Sequence, residues 1–429
     1  MKKFRQIDGS ICAPRGFKAA AVFCDIKTLG TGKGSEKGRK DDLALIVSDV
    51  PAAVAGMFTT NTMRAAPVEV SARRAAQKFA RAIVVNSGNA NACTGAQGMR
   101  DAEEMTKVTA TAIGVKKSEV LVASTGRIGV KMPMQNVARG IRAAAPKLKQ
   151  SNPAAAAVAD AILTSDTHRK EVAVEFEIGG KPVRIGGICK GAGMIEPRMS
   201  ASLHATMLAF ITTDAAIAPT VLKRALTDAV EQSFNRISVD GDMSTNDTVL
   251  VLANGLAANS KSEVRNSKFQ EALNFVTLEL ARMIVRDGEG VSRFVTLQVR
   301  GARSAREAES VARAIANSAL VKTSWCGGDP NWGRILCAIG YANVKAQPAN
   351  IDIGYARSGS RETLFAFRRG KPIDIAFAKL TAITSQPEFD VHIDLHSDKY
   401  ATKFYTCDLT EDYVTFNKGD IADPNSLGG

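Results

Sequence analysis

Val172-Ala173-Val174-Glu175-Phe176-Glu177-Ile178 alternates apolar and polar residues, turns at Gly179-Gly180, and resumes as Val183-Arg184-Ile185. A period of two fits a half-buried strand, and a glycine pair between two such runs is a hairpin signal. An antiparallel hairpin rules out a purely parallel sheet. Outward from it, Leu43-Ala44-Leu45-Ile46-Val47 is a continuous apolar run that reads as a buried strand. Ala82-Ile83-Val84-Val85 and Val120-Leu121-Val122-Ala123 read as two further strands, with a helix over roughly 99–113 between them. Downstream, Ala218-Pro219 opens a helix whose apolar residues Leu222, Leu226, Val230 and Phe234 recur every four positions. Phe269, Leu273, Val276, Leu280 and Ile284 mark a second helix. Ser304 with Glu307 three residues on is a capping box for a third, and Phe294–Val299 between them reads as a strand. The expected fold class is α/β: a layered sandwich of mixed or antiparallel sheets flanked by helices.

The bulk properties bound the function. With 429 residues, 45% hydrophobic and 6% aromatic, the chain reads as globular, with two or three packed units. No stretch reaches the roughly 18 uninterrupted apolar residues of a membrane span, and the first residues lack the apolar segment of a signal peptide, so a cytoplasmic location is expected. The seven cysteines show no CxxC spacing and no nearby histidine, which argues against a disulfide framework or zinc site. His392 and His396 flank Asp394, but the alternation of Phe389–His396 reads better as a strand than as a metal site. Of the net charge of +13, residues 1–40 carry ten Lys/Arg against three Asp/Glu, and no basic stretch is interleaved with aromatics. Small anionic substrates account for this charge at least as well as nucleic acid does. The loop Gly30-Thr31-Gly32-Lys33-Gly34-Ser35 is not a phosphate loop, because Gly34 stands where Ser or Thr is needed and Lys27 where the first glycine belongs.

Four stretches are dense in glycine and small polar residues beside apolar runs: Phe58–Asn61, Asn86–Asn91, Ser124–Gly126 and Ser238–Thr248. Strand-end loops of this kind supply donors, acceptors and close backbone approach to a ligand. The same residues dominate ordinary turns, so each stretch alone reads either way. Thr206, before the apolar run Met207–Ile211, is by its surroundings an ordinary strand residue.

Taken together, these segments resemble the ornithine acetyltransferases of arginine biosynthesis, also called bifunctional glutamate N-acetyltransferases. The likeness covers nearly the whole chain. It rests on Arg39-Lys40 running into Leu43–Ile46, Phe58–Asn61, Val85–Gly95, Ser124-Thr125-Gly126, Lys190–Ile195, Ala205-Thr206-Met207-Leu208, Asp287-Gly288-Glu289-Gly290 and Asp329–Arg334, in the family's order. The resemblance implies one precursor that cleaves itself between Ala205 and Thr206. It also implies an α/β sandwich like that of N-terminal-nucleophile enzymes, formed by an N-terminal fragment 1–205 and a C-terminal fragment 206–429 that starts with the nucleophile. Thr125 and Gly126 would form the oxyanion hole, and Thr164, Lys190, Thr206, Glu289 and Asn417 would bind substrate. Acetyl would pass from N-acetylornithine to glutamate in a ping-pong reaction, with acetyl-coenzyme A as a further donor in some members and no bound metal or prosthetic group. Two copies of each fragment would assemble as a heterotetramer, with neither nucleic acid nor membrane as partner. The stretch Arg198–Ala205 is about five residues longer than the family's usual spacing, Arg127 stands where a small or apolar residue is usual, and Ala422 stands where Ser or Thr is common, with Ser426 nearby. Two other readings remain at this level: an amidase or aminopeptidase on the same fold, and a non-catalytic amino-acid-binding paralogue.

Overall fold

The computed structural model describes residues 4–27, 39–199, 207–260 and 267–418. The 30–35 loop, Ala205, Thr206, most of the 198–205 stretch, Ala422 and Ser426 lie outside the described residues. In chain order the strands are β1 (Arg5–Gln6), β2 (Phe17–Val22), β3 (Leu43–Phe58), β4 (Phe79–Asn89), β5 (Val120–Arg127), β6 (Lys170–Ile178), β7 (Lys181–Lys190), β8 (Leu208–Thr213), β9 (Thr248–Ala253), β10 (Phe294–Ala302), β11 (Asp352–Arg357), β12 (Leu364–Arg368), β13 (Lys371–Pro372), β14 (Glu388–Asp394) and β15 (Tyr400–Cys407). The helices are α1 (Ala66–Ala75), α2 (Gly95–Ile113), α3 (Met134–Ala144), α4 (Asn152–Ala161), α5 (Pro219–Glu231), α6 (Ser267–Arg286), α7 (Ala305–Ala316), α8 (Ala319–Cys326), α9 (Trp332–Gly340), α10 (Phe377–Thr384) and α11 (Glu411–Asn417).

The hairpin forms as its alternation predicts. β6 and β7 pair antiparallel around Gly179 and Gly180, whose φ values of +55° and +72° suit a tight turn that side chains resist. Val172, Val174, Phe176 and Ile178 pack into one core with α5 and α6, while Glu175 on the opposite face binds Arg184 and Arg5. The hairpin sits within a sheet of order β1-β6-β7-β8-β9-β3-β4-β5, with β2 added on β3.

β3 makes this sheet into a sandwich. Its first half pairs with β2 and β4, its second half with β9, and the register shifts between Val47 and Ala52, beside Val50-Pro51. A proline cannot donate to the ladder, so it falls at such an irregularity. Ala44, Ile46, Ala52, Val54 and Phe58 all face a central core that also holds Leu121, Ala123, Leu208, Phe210 and Leu250. On the far side of β3, Leu43, Leu45 and Val47 meet α2 and α3, whereas Ala53, Ala55 and Met57 meet the core under α5 and α6. Burial on both faces explains why 43–47 is apolar without alternation. The layers run helix, sheet, sheet, helix, which is the expected class.

A second sheet, β13-β12-β11-β14-β10-β15, packs with α7, α8, α9 and α10 around the buried Trp325 and Tyr355. Its β10 and β14 run parallel across a long sequence separation, and the sequence reading did not anticipate this pair. Two expected elements differ in detail. The helix opened by Pro219 ends at Glu231, and Phe234 reaches the same core from a separate 3-10 turn. At α7, Ser304 caps Glu307 N–H at 3.1 Å, but the Glu307 carboxylate accepts from Arg303 N–H at 2.6 Å, so the box is half formed. His392 lies on β14 as read, while His396 lies beyond it and binds Asp352 at 2.9 Å.

Candidate active site

The four polar stretches converge on one rim. Thr59 N–H donates to Asp247 O at 3.2 Å, its hydroxyl to Ser244 O at 2.8 Å, and Asn61 Nδ2 to Met243 O at 3.0 Å. From the 238–248 stretch, Asn246 Nδ2 donates to Ala90 O at 2.5 Å and to Ser124 O at 2.8 Å, which joins the remaining two. Within 86–94 the side chains mostly close their own turns: Asn86 Nδ2 reaches Asn89 O at 2.9 Å and Thr94 Oγ1 reaches Asn91 Oδ1 at 2.7 Å. Both meanings of such residues are therefore realised together.

At the centre of the rim, β4 and β5 run parallel with Gly88 opposite Gly126. Gly126 has φ +129°, and a Cβ there would lie 2.3 Å from the Gly88 carbonyl carbon. Only glycine fits. Thr125, just before it, is buried at the end of β5.

Of the other expected residues that are described, Lys190 ends a strand, Thr164 follows α4, Glu289 follows α6 and Asn417 ends α11. Lys190 closes β7 opposite Leu208, the first residue of β8. Met207, which follows Thr206 in the chain, offers its carbonyl to Thr248 N–H at 2.7 Å. Lys190 Nζ lies 3.9 Å from Asp166 Oδ2, and the same carboxylate accepts from Gly191 N–H at 2.6 Å, Thr164 N–H at 3.1 Å and Lys170 Nζ at 2.7 Å. Lys170 also reaches Asp287 Oδ2 at 2.5 Å. Two residues beyond Asp287, Glu289 accepts from Asn417 Nδ2 at 2.9 Å, and its N–H donates to Ala192 O at 3.0 Å. Thr164, Lys190, Glu289 and Asn417 are thus joined through Asp166, Lys170 and Asp287. Among the described residues no hydrogen bond ties Thr125 or Gly126 directly to this group; the link runs through Asn246 and β9.

The sequence does not mark Asp166 or Lys170, and it marks Asn246 only as part of the polar 238–248 stretch. Asp287 stood in a quoted motif without a role. Burial pushes the Asp166 carboxyl up, but Lys190, Lys170 and the Gly191 N–H more than offset it and hold it at about 2. Burial likewise opposes the charge on Lys170, which its two carboxylates restore. This is a buried and compensated ionic cluster.

Asp247 is the opposite case. Fully buried, it is pushed well above the usual carboxylate range by burial, with Lys190 only partly countering, and its Oδ2 has no hydrogen-bond partner among the described residues. A carboxyl whose folded value is raised favours folding fully only below its unfolded value, and that contribution is lost as pH rises. Asp247→Asn should therefore melt at a higher temperature than the parent at pH 8, with the gap narrowing toward pH 4; thermal melts across that range check it.

The family model for ArgJ matches residues 19–419. The chain belongs to the ArgJ family. The arginine biosynthesis bifunctional protein ArgJ of Symbiobacterium thermophilum is 44% identical over 412 residues, covering 95% of this chain and 98% of its own. The glutamate N-acetyltransferase of Methanocaldococcus jannaschii is 44% identical over 419 residues, covering 96% and 98%. Among solved structures, the Mycobacterium tuberculosis ornithine acetyltransferase complexed with ornithine is 33% identical, with a TM-score of 0.41, and covers 46% of this chain and 100% of that one. The expected enzyme class, an ornithine acetyltransferase or glutamate N-acetyltransferase, is the one these ArgJ relatives carry. Among the described residues no helix is long and apolar enough to cross a membrane, and no three His, Cys, Asp or Glu cluster as a metal site requires.

Proposed function

We propose that this chain is a self-processing N-acetyltransferase of arginine biosynthesis that moves acetyl from N-acetylornithine to glutamate through an acetyl ester on Thr206. The reading rests on the ArgJ match across 19–419; the roles of Thr125, Gly126, Thr164, Lys190, Thr206, Glu289 and Asn417 are those the family resemblance implies for these residues. Cleavage after Ala205 releases an α-amino group on Thr206. Such a group titrates near pH 8 and serves as base to its own hydroxyl. Oγ attacks the acetyl carbonyl, the amide C–N bond breaks, and ornithine leaves with the proton. The glutamate amine then attacks the ester, forms N-acetylglutamate and returns the proton to Thr206. The Thr125 hydroxyl and Gly126 N–H receive the oxyanion in both steps. Lys190 meets a substrate carboxylate and Glu289 a substrate ammonium. The ornithine named with the M. tuberculosis relative supports an amino acid of that shape. No bound cofactor enters the scheme, and acetyl-coenzyme A enters only as an alternative acetyl donor.

The sheet order supports fragments 1–205 and 206–429 that stay together. β8 and β9 lie between β7 and β3, so a cut before Thr206 leaves two intact backbone ladders between the fragments. Two such pairs make the proposed heterotetramer. The test is product analysis with N-acetylornithine. Ornithine and N-acetylglutamate should appear in equal amounts when glutamate is present, whereas sustained release of free acetate without glutamate would make the protein a hydrolase.

A further inference from the structure

Asn246 belongs to the polar 238–248 stretch and has no part in the chemistry above. It stands two residues before Thr248, the first residue of β9, which pairs in parallel register with Leu208, the first residue of β8. Along the chain Thr206 likewise stands two residues before Leu208. From the loop before β9 the Asn246 side chain reaches across to β5 and the end of β4. There its Nδ2 donates to Ser124 O at 2.8 Å and Ala90 O at 2.5 Å, while its Oδ1 accepts from Thr245 Oγ1 at 2.7 Å. It is buried, and every atom of its amide is engaged in a fixed way.

The Ser124 carbonyl belongs to the peptide unit that leads into Thr125. In an extended strand the C=O of one residue and the N–H of the residue two further on leave the same edge. The Ser124 C=O and the Gly126 N–H therefore point the same way, toward the side on which Asn246 lies. Gly126 has no Cβ to lock its conformation, and its φ of +129° is one among several that glycine adopts. The restraint on this turn comes from outside it.

We propose that Asn246 is a positioning residue that holds the Ser124–Thr125 peptide so that the Thr125 hydroxyl and the Gly126 N–H are aimed at the carbonyl attacked by Thr206. The inference rests on the reading of Thr125-Gly126 as the oxyanion hole. It gives the 238–248 stretch a function: one amide fixes the oxyanion donors relative to the strand pair that begins just after the nucleophile. Asn246→Ala removes both donated bonds, and Asn246→Asp keeps the size but faces two carbonyls with acceptors.

The experiment measures kcat and KM for acetyl transfer from N-acetylornithine to glutamate, per mole of cut chain, in the parent, Asn246→Ala and Asn246→Asp. Melting temperature is recorded for each. Misplacing an oxyanion donor without removing it is expected to lower kcat by roughly 10- to 100-fold, with KM changed by less than about threefold. A purely structural role would lower the melting temperature and leave kcat per cut chain unchanged, which overturns the proposal. Uncut chains with parental melting temperature would also overturn it, by placing Asn246 in processing rather than at the oxyanion peptide. A parent enzyme with no transfer activity would instead sink the underlying reading.

Discussion

Thr206→Ala should yield a single uncut chain with acetyl transfer lost by roughly ten-thousandfold or more, the scale on which removal of a catalytic nucleophile acts. Two losses coincide in this variant. On the proposed scheme the hydroxyl that would attack the Ala205 carbonyl is gone, so the α-amino base would never be released, and the atom that would carry acetyl is gone as well. Thr206→Ser keeps the hydroxyl and should retain cleavage and part of the activity, since only a methyl group is lost. Denaturing electrophoresis and a transfer assay read both variants. A Thr206→Ala chain that still transfers acetyl would move the nucleophile elsewhere.

Lys170→Met is the second large effect, and it acts on stability first. Lys170 is fully buried between Asp166 and Asp287, at 2.7 Å and 2.5 Å. Removing one member of such a cluster leaves buried charge uncompensated and costs about 3–5 kcal/mol. Activity should fall too, because Asp166 also holds Thr164 N–H and Gly191 N–H and lies near Lys190, while Asp287 leads into Glu289. The pH dependence has a definite sign. The folded value of Asp166, about 2, lies below its unfolded one, so its contribution is complete above about pH 4 and is lost as pH falls toward 2. The parent should therefore lose stability across that acid window, and Lys170→Met should lose less there because much of the contribution is already gone. Chemical denaturation at pH 7 and at pH 3 separates the two; equal stability at pH 7 would show that the cluster is not what holds these elements.

Particular elements show where the sequence was legible. The β6–β7 hairpin was readable because alternation and a glycine pair are local signals, and 43–47 because burial on both faces leaves a bare apolar run. The bend within β3, which converts one sheet into a sandwich, was not: Val50-Pro51 marks an interruption but not the direction in which the strand continues. The parallel β10–β14 pair joins residues about a hundred positions apart, and periodicity carries no information on such partners. The polar stretches were legible as a class, and the resemblance supplied roles for Thr125, Gly126, Lys190 and Glu289. Asp166 and Lys170 were not legible, since a pair four apart reads as any surface ion pair until Asp287 arrives from 117 residues beyond Lys170. Nor did composition separate Asn246, a donor reaching across to β5, from Asn86, which closes its own turn.

On the proposed scheme acetyl rests on Thr206 between donor and acceptor. Incubating the protein with N-acetylornithine alone, quenching in acid and taking the masses of the fragments tests it directly. The expected result is a C-terminal fragment beginning at Thr206 that gains one acetyl group, mapped to that residue and lost when glutamate is added. An intact, unacetylated chain that nevertheless turns over N-acetylornithine and glutamate would contradict it.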